Sequence, residues 1–199
     1  MGRALLDITM SLDGFVTGPG ADLSHGLGIG GEPLHDWIVG EQEDADRMAL
    51  DRTMAGIGAV LMGRRTFDLI DGPHGWSADD FRGERPAIFV LTSSPPSRVR
   101  LDGWFTFVTD GIGPALKLAQ DAAGAQDVMI MGGGHLCRQY LYAGLVDELR
   151  VHVAPIVLGD GTPLFERTTL DPIRLVPRET TSTRHATHLT YDVPDREQR

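Results

Sequence analysis

The amino-acid sequence predicts an α/β fold with a mostly parallel central sheet and helices on both of its faces. The C-terminal part of the chain is predicted to add antiparallel strands to this sheet. Apolar, strand-like runs at residues 4–10, 59–62, 87–92, 105–109 and 128–131 alternate with helical patterns at residues 41–55, 66–70, 114–123 and 135–143. Such alternation is typical of parallel strands that are joined by crossover helices. Three further strand-like runs, at residues 148–154, 173–180 and 188–193, have no helix between them. They predict antiparallel strands at one edge of the sheet.

The N-terminal part of the chain has a different character. A glycine-rich stretch at residues 14–40 follows the first strand, and loops of that length are usually functional or mobile. The helix after it is acidic and amphipathic, with Ala45, Met48 and Ala49 predicted to face inward. We expect one domain over residues 1–194 and a loose polar tail at residues 195–199.

Composition and charge limit the possible partners. The chain has 199 residues, of which 41% are hydrophobic and 23% charged, so it can bury a sizeable core. Its single cysteine, Cys137, excludes an internal disulfide and is predicted to be a packed thiol. The net charge of −10 disfavours nucleic acid or an anionic membrane as a partner. Because no signal peptide is visible and no apolar run approaches the ~20 residues of a membrane span, we expect a cytoplasmic protein.

A glycine triplet at the end of a strand is the strongest functional signal. Gly132-Gly133-Gly134 follows an apolar run and precedes His135 and Leu136, where a helical pattern begins. Without side chains the backbone can approach a phosphate closely, and a helix N-terminus offers unpaired N–H groups and the positive end of a dipole. The triplet therefore predicts a pyrophosphate site, although a tight packing turn would give the same pattern.

Two other predicted strands end in groups that suit an anion. Gly63-Arg64-Arg65-Thr66 follows the strand at residues 59–62, and guanidinium groups bind phosphate through a fixed fork of donors. Thr92-Ser93-Ser94 places three hydroxyls after the next strand. Because ligands of open α/β sheets bind at the carboxyl ends of the strands, the three sites together predict one long, polyanionic ligand.

These motifs, together with Thr9-Met10-Ser11-Leu12-Asp13-Gly14-Phe15 near the start and the segment from Gly144 through Gly161, resemble the dihydrofolate reductase superfamily. The chain is most similar to the branch typified by the C-terminal reductase domain of the bifunctional riboflavin-biosynthesis deaminase/reductase. The resemblance extends over nearly the whole chain. It implies a dihydrofolate reductase-like fold and an extended NADPH molecule across the carboxyl ends of the central strands.

Each motif acquires a role from this resemblance. Gly132, Gly133 and Gly134 would lie against the pyrophosphate, with His135 and Leu136 supplying N–H groups. The Gly63 to Thr66 turn would meet the phosphates on the adenosine side, and Thr92, Ser93 and Ser94 the 2′-phosphate or adenine. Arginine and hydroxyl groups suit a 2′-phosphate better than a ribose diol, which favours NADPH over NADH. The resemblance also implies a cis peptide bond between Gly132 and Gly133, at a cost of ~2.5–4 kcal/mol.

The chemistry implied is hydride transfer to a small polar heterocycle or to an imine or carbonyl group. Asp13 is the candidate proton donor, and an Asx turn that only shapes the loop is the alternative. Phe15 and Trp37, with Trp76, are candidates to line a planar substrate pocket. Phe15 stands where riboflavin-pathway reductases usually carry a basic residue. Dihydrofolate reductases hold the pterin with a carboxylate of the first helix, where this chain has Asp44, Asp46 and Asp51.

Two other classes of function remain open, a nucleotide-binding protein without turnover and a small flavin-binding module on the same fold. No metal site is predicted, because His25, His35 and His74 lie in predicted loops without ligand spacing. The C-terminal strands would leave an exposed edge, so we also expect a homodimer.

Overall fold

The computed structural model describes residues 2–73, 75–77, 85–166 and 171–194. The elements are, in chain order, β1 (Ala4–Ser11), β2 (Phe15–Thr17), the 3-10 helix η1 (Glu32–His35), α1 (Asp36–Val39), α2 (Asp44–Met54), β3 (Ile57–Gly63), α3 (Arg64–Ile70), β4 (Ala87–Leu91), β5 (Phe105–Val108), α4 (Ile112–Ala123), β6 (Asp127–Met131), α5 (Gly134–Ala143), β7 (Glu148–Ala154), β8 (Thr162–Pro163), β9 (Val176–Ser182) and β10 (Thr187–Asp192). His74 and the tail at residues 195–199, for which the sequence made predictions, lie outside the described residues.

The main sheet has eight strands in the order β5-β4-β3-β6-β1-β7-β10-β9. The six strands from β5 to β7 run parallel, β10 pairs antiparallel with β7, and β9 pairs antiparallel with β10. The predicted fold class is therefore confirmed. The central position of β1 places Asp7 between Met131 of β6 and Arg150 of β7, which are its partners in register.

Apolar residues cover both faces of this sheet, because successive residues of a strand point to opposite sides. On one side Leu6 belongs to a cluster with α4 and α5, which contains Leu116 and Tyr140. On the other side Leu5 packs in a cluster with Phe67 of α3. Both faces are thus covered by helices, as continuously apolar parallel strands require. No helix among the described residues has the length and apolar character needed to cross a membrane.

The stretch predicted as a long loop at residues 14–40 contains β2, η1 and α1. β2 pairs with β8 in a separate two-stranded sheet. Strands of three and two residues are too short to show an alternating pattern, so the sequence could not reveal them. This pairing brings the first loop against the segment that follows β7.

Helix α2 begins at Asp44, three residues later than predicted. The Asp46 carboxylate accepts a hydrogen bond of 2.9 Å from the Glu43 N–H and so closes the helix start. The prediction that Met48 faces inward was wrong, because its side chain is 60% exposed. The buried residues of this helix are instead Asp46 and Thr53. These polar residues of α2 face inward because they bind polar side chains of the sheet, Thr53 to Asp7 of β1 and Asp46 to His188 of β10.

Candidate functional site

A cavity of about 800 Å³ lies over the second half of β1 and the end of β6. Two parts of its wall are polar. The first, which we call the glycine wall, consists of Arg65, Thr66, Gly132, Gly133, Gly134 and His135. The second, which we call the carboxylate wall, consists of Asp7, Thr9, Trp37 and Thr53. The remaining lining is largely apolar and includes Leu27, Leu69, Ile70 and Met129.

The glycine turn can be formed only by residues without a Cβ. Gly132 and Gly133 have φ angles of +74° and +77°, in the left-handed region that disfavours other residues. A Cβ on Gly132 would lie 2.6 Å from the Cγ2 of Thr66, and one on Gly134 would lie 2.8 Å from the carbonyl oxygen of Pro163. Backbone atoms of the turn therefore form the cavity wall directly.

The predicted cis bond between Gly132 and Gly133 was wrong, because there is no cis peptide bond among the described residues. Two consecutive positive φ angles reverse the chain with trans bonds alone. Helix α5 then begins at Gly134, so the N–H groups of Gly134, His135 and Leu136 have no carbonyl partner within the helix. The Leu136 side chain is buried in the core, and only its N–H could serve a ligand.

The two arginines that follow β3 take different positions. Arg65 lines the cavity, and its Nη2 donates to the carbonyl oxygen of Ala21 at 3.0 Å. Arg64 lies beside the cavity, where its Nε donates to Asp68 at 2.8 Å and its Nη1 donates to the carbonyl oxygen of Ser94 at 2.6 Å. The Arg64 side chain thus joins the start of α3 to the turn after β4.

The Thr92-Ser93-Ser94 turn lies at the carboxyl end of β4, but it is not part of the cavity wall. Thr92 Oγ1 donates to the Ser94 carbonyl oxygen and accepts from the Ser94 N–H, which closes the turn on itself. Gly63 is likewise outside the wall and forms the cap of α3. The three predicted anion sites are therefore neighbours along one edge, and only the glycine turn and Arg65-Thr66 face the cavity.

Asp13 does not line the cavity. Its Oδ1 accepts from Ser11 Oγ at 2.6 Å and from the Leu158 N–H at 3.1 Å, and its Oδ2 accepts from the Gly159 N–H at 2.7 Å. The hydrogen bond from Ser11 and those from the two N–H groups lower the pKa of Asp13 to about 2. With these contacts the Asp13 carboxylate holds the loop after β7 against β1. Of the two roles predicted for Asp13, the contacts favour shaping of the loop over proton donation.

Of the three aromatic residues that the sequence suggested for the pocket, Trp37 and Trp76 line the cavity and Phe15 does not. Phe15 is held in β2, opposite Pro163. Trp37 is 2% exposed, and its Nε1 donates to Thr9 Oγ1 at 3.0 Å. Its ring lies against the His152 imidazole, with the centroids 4.2 Å apart.

Behind the carboxylate wall lies a buried chain of titratable groups that the sequence analysis missed. Asp7 Oδ1 is 3.2 Å from His152 Nε2, the Nδ1 atoms of His152 and His188 are 2.7 Å apart, and His188 Nε2 is 3.0 Å from Asp46 Oδ1. We call these four residues the carboxylate–histidine chain. A signal was present, because Asp7, His152 and His188 each interrupt a run of apolar or β-branched residues.

Hydrogen bonds keep both carboxyl groups of this chain ionised. Burial acts to raise the pKa of Asp7, but the hydrogen bond and charge of His152 and the hydrogen bond from Thr53 outweigh it, so that the pKa is lowered. The pKa of Asp46 is lowered in the same way, because bonds from the Glu43 N–H, Thr183 and His188 outweigh its burial. For His188, burial lowers the pKa in spite of its bond to Asp46.

No cluster of three or more histidine, cysteine or carboxylate side chains suited to a metal ion is present in residues 2–73, 75–77, 85–166 and 171–194. The thiol of Cys137 is fully buried, and burial raises its pKa to about 12. It is therefore a neutral, packed side chain.

This architecture was compared with those of known proteins and protein families. Residues 4–189 match the RibD C-terminal domain. The uncharacterized protein YyaP of Bacillus subtilis (strain 168) is 27% identical over 173 residues, which cover 82% of this chain and 80% of YyaP. A putative riboflavin biosynthesis protein from Shewanella sp. PV-4 has a similar structure, with a TM-score of 0.70 and 22% identity over 96% of this chain and 99% of its own. RibD of Acinetobacter baumannii has a TM-score of 0.68 and 17% identity, and the match covers 98% of this chain and 58% of that one. The chain belongs to the RibD C-terminal domain family and has the reductase-like fold of that family.

Proposed function

We propose that this protein is an NADPH-dependent reductase that transfers a hydride to a small polar heterocycle or to an imine or carbonyl group. The reaction would be similar to the reduction of 5-amino-6-(5-phosphoribosylamino)uracil in riboflavin biosynthesis. The glycine wall carries this proposal. Its turn at Gly132, Gly133 and Gly134 excludes side chains, opens the N-terminus of α5 and faces a cavity of about 800 Å³.

The residues of the glycine wall suit a pyrophosphate. The N–H groups at the start of α5 are donors without helical partners, and the helix dipole adds positive potential there. Arg65, whose guanidinium keeps further N–H donors besides the one bound to Ala21, adds a full positive charge to the same wall. Arg64 and the turn at Thr92 lie along the same edge of the sheet, where a 2′-phosphate could meet them.

The rest of the cavity suits a planar group and its reduction. The bound nicotinamide supplies the hydride, and the protein supplies orientation and a proton. Trp76 and the leucine and isoleucine side chains of the lining offer apolar surface to such a group, whereas the Trp37 ring is packed on His152. Asp7 is a carboxylate on the wall, and it lies in register beside Met131, one residue before the glycine turn.

The relatives support the substrate class. A putative riboflavin biosynthesis protein and RibD share the fold, although at identities of 22% and 17%. We therefore propose a pyrimidine-type heterocycle of the kind reduced in riboflavin biosynthesis. Folate is less well supported, because Asp46 of the first long helix is bound to His188 and Thr183 and does not line the cavity.

Thermal unfolding with NADPH, NADH, FMN or no ligand tests the cofactor. A ligand that binds only the folded protein at 100 times its Kd stabilises it by about 2.7 kcal/mol. We expect the largest rise in Tm with NADPH, followed by a loss of NADPH absorbance when aminopyrimidine or other heterocyclic acceptors are added. Stabilisation by NADPH without oxidation by any acceptor would favour a nucleotide-binding protein. Stabilisation by FMN alone would favour a flavin-binding module.

We also propose that the protein forms a homodimer in which the C-terminal strands take part. β9 is an edge of the main sheet, and all but one of its seven residues are exposed. An uncovered edge offers free backbone N–H and carbonyl groups to a second strand. Light scattering at micromolar concentration should give the mass of two chains, and a mass of one chain would contradict the proposal.

A further inference from the structure

The hydrogen bonds of the carboxylate–histidine chain fix how many protons it contains. A carboxylate oxygen and a bare imidazole nitrogen are both acceptors, so each contact between such atoms needs one proton. With both carboxyl groups ionised, the contacts to Asp7 and Asp46 place one proton on the Nε2 of each histidine. The Nδ1 atoms, 2.7 Å apart, then need a third proton, because two lone pairs at that distance repel each other. The chain therefore holds one proton more than two neutral imidazoles and two carboxylates.

The two halves of this chain have different surroundings. Asp7 lines the large cavity, and its Oδ2 accepts from Thr53 Oγ1 at 2.8 Å. His152 and His188 line a second, smaller depression of about 60 Å³ between α2 and the strands β7, β9 and β10. Several waters fit in that volume, since one water needs only about 10–15 Å³. The chain thus connects a wall of the cavity with a separate pocket for water.

The Trp37 ring covers the carboxylate–histidine chain and separates all of it except Asp7 from the cavity. Trp37 stacks on His152 and meets His188 edge-on, with centroids 5.2 Å apart. His152 and His188 are 3% and 8% exposed, and neither lines the large cavity. Among the described residues of the chain, Asp7 is the member that lines the cavity, so a proton held between the histidines reaches the cavity through its carboxyl group.

We propose that the carboxylate–histidine chain is a proton relay, which holds a proton beside the cavity and supplies it through Asp7 to the nitrogen or oxygen of the group that is reduced. This proposal rests on the reductase function proposed above. Asp7 is the catalytic residue in this scheme. His152, His188 and Asp46 are positioning residues that act through it.

The protons and electrons of the scheme balance. The Nε2–H bond of His152 breaks as an O–H bond forms on Asp7, which leaves His152 neutral with its proton on Nδ1. The proton then moves from Asp7 to the substrate nitrogen or oxygen while the neighbouring carbon receives a hydride. The C=N or C=O group gains two hydrogens and two electrons, and the electrons come from the hydride donor. A net proton from solvent, which reaches the histidines through water in the smaller depression, then returns to the Nε2 of His152, so that no hydroxide is left in the site.

Other charged and titratable groups surround the relay. They are Arg150 on β7, Arg52 on α2, Glu179 on β9, Cys137 on α5 and His35 on η1. The charge of Arg150 contributes to the lowered pKa of Asp7. The lowered pKa of Asp7 keeps the proton on the histidines until a substrate atom competes for it.

Nuclear magnetic resonance of protein labelled with ¹⁵N and free of nucleotide tests the proton count without any reaction. We expect one strongly deshielded ring proton that is coupled to the Nδ1 atoms of both His152 and His188. It should disappear in His188→Gln and persist in His185→Gln, which changes a histidine of the same hairpin outside the chain. If both Nδ1 atoms are unprotonated in the wild type, the relay is overturned. The wild-type spectrum decides this even if His188→Gln does not fold.

Kinetics then separate the relay from a structural role. Loss of a proton donor costs about 10²–10⁴-fold. We expect His188→Gln to lower kcat by about 10- to 100-fold and to shift its pH profile, with an unchanged Kd for NADPH, and we expect His185→Gln to match the wild type. A wild-type kcat in His188→Gln, or a lower kcat with an unchanged pH profile, overturns the relay. Failure of the wild type to bind NADPH overturns the proposed function instead, and the NADPH titration detects that separately.

Discussion

The glycine wall and the carboxylate wall line the same cavity, but they are built in different ways. In the glycine wall the N–H donors belong to the backbone of consecutive residues after β6, and only Arg65 adds a charged side chain, from the end of the neighbouring strand β3. In the carboxylate wall the groups are side chains of β1, α1 and α2, and they are supported by histidines of β7 and β10. The comparison teaches that an anion site can be local in sequence, whereas a buried acid needs partners from several elements to stay ionised.

Replacing Gly132 by Ala should have the largest effect. The new Cβ would meet Thr66 at 2.6 Å, and alanine would also be strained at a φ of +74°. We expect NADPH affinity to fall on the order of 100-fold, or about 2.8 kcal/mol. Titration of NADPH measures this change.

Gly103→Ala is the matched control for that variant. Gly103 has a φ of +73°, and nothing lies within 4 Å of its added Cβ. Both variants should lose stability from the positive φ, by about 1–3 kcal/mol. Only Gly132→Ala should lose NADPH binding. Equal affinities in the two variants would show that the turn serves packing and not a cofactor.

Replacing Arg64 by Ala should weaken NADPH more than NADH. A charge-assisted bond to phosphate contributes about 1.5–3 kcal/mol. We expect the lower end, about tenfold, because the Arg64 side chain is 38% exposed and already bound to Asp68. Titration of both cofactors against wild type and variant measures the difference. An equal loss of affinity for NADPH and NADH would contradict the assignment of the 2′-phosphate to this edge of the sheet.

The buried His188 should make the fold less stable as the pH falls. Its pKa is lowered from 6.5 in the folded protein, so below pH 6.5 the unfolded chain binds a proton that the folded His188 does not. Urea unfolding at pH values from about 6.5 down to 5 should show a falling free energy of unfolding. The fall should be smaller in His188→Gln. The same slope in both proteins would mean that His188 titrates alike when folded and unfolded.

Asp13 should give the smallest effect, and only in acid. Its pKa is lowered from 3.8 to about 2, so its contribution to stability is present above pH 3.8 and is lost as the pH falls toward 2. Asp13→Asn should flatten that part of the stability curve, as measured by urea unfolding. It should leave NADPH binding unchanged, because Asp13 is outside the cavity wall. If Asp13→Asn folded normally but transferred hydride more slowly than the wild type, Asp13 would instead be supported as a proton donor.

The sequence by itself determined the alternating architecture and the glycine turn. The strand at residues 128–131 was predicted within one residue of its observed start, because a parallel strand covered on both faces is continuously apolar. The strand at residues 148–154 was predicted at its observed ends, because apolar residues alternate along it with Glu148, Arg150 and His152. The turn is equally local, because the need for glycine at Gly132 and Gly133 comes from their own φ angles.

Tertiary structure decided which of the predicted sites share a cavity. It also determined that the four residues of the carboxylate–histidine chain contact one another. Its contacts join residues 145, 36 and 142 positions apart, and they form only because β1, β7 and β10 are neighbours in the sheet and α2 lies over them. A sequence motif records the spacing of residues along the chain. A buried acid depends on desolvation and on hydrogen bonds from distant elements, so no local pattern could assign Asp7 to the cavity or remove Asp13 from it.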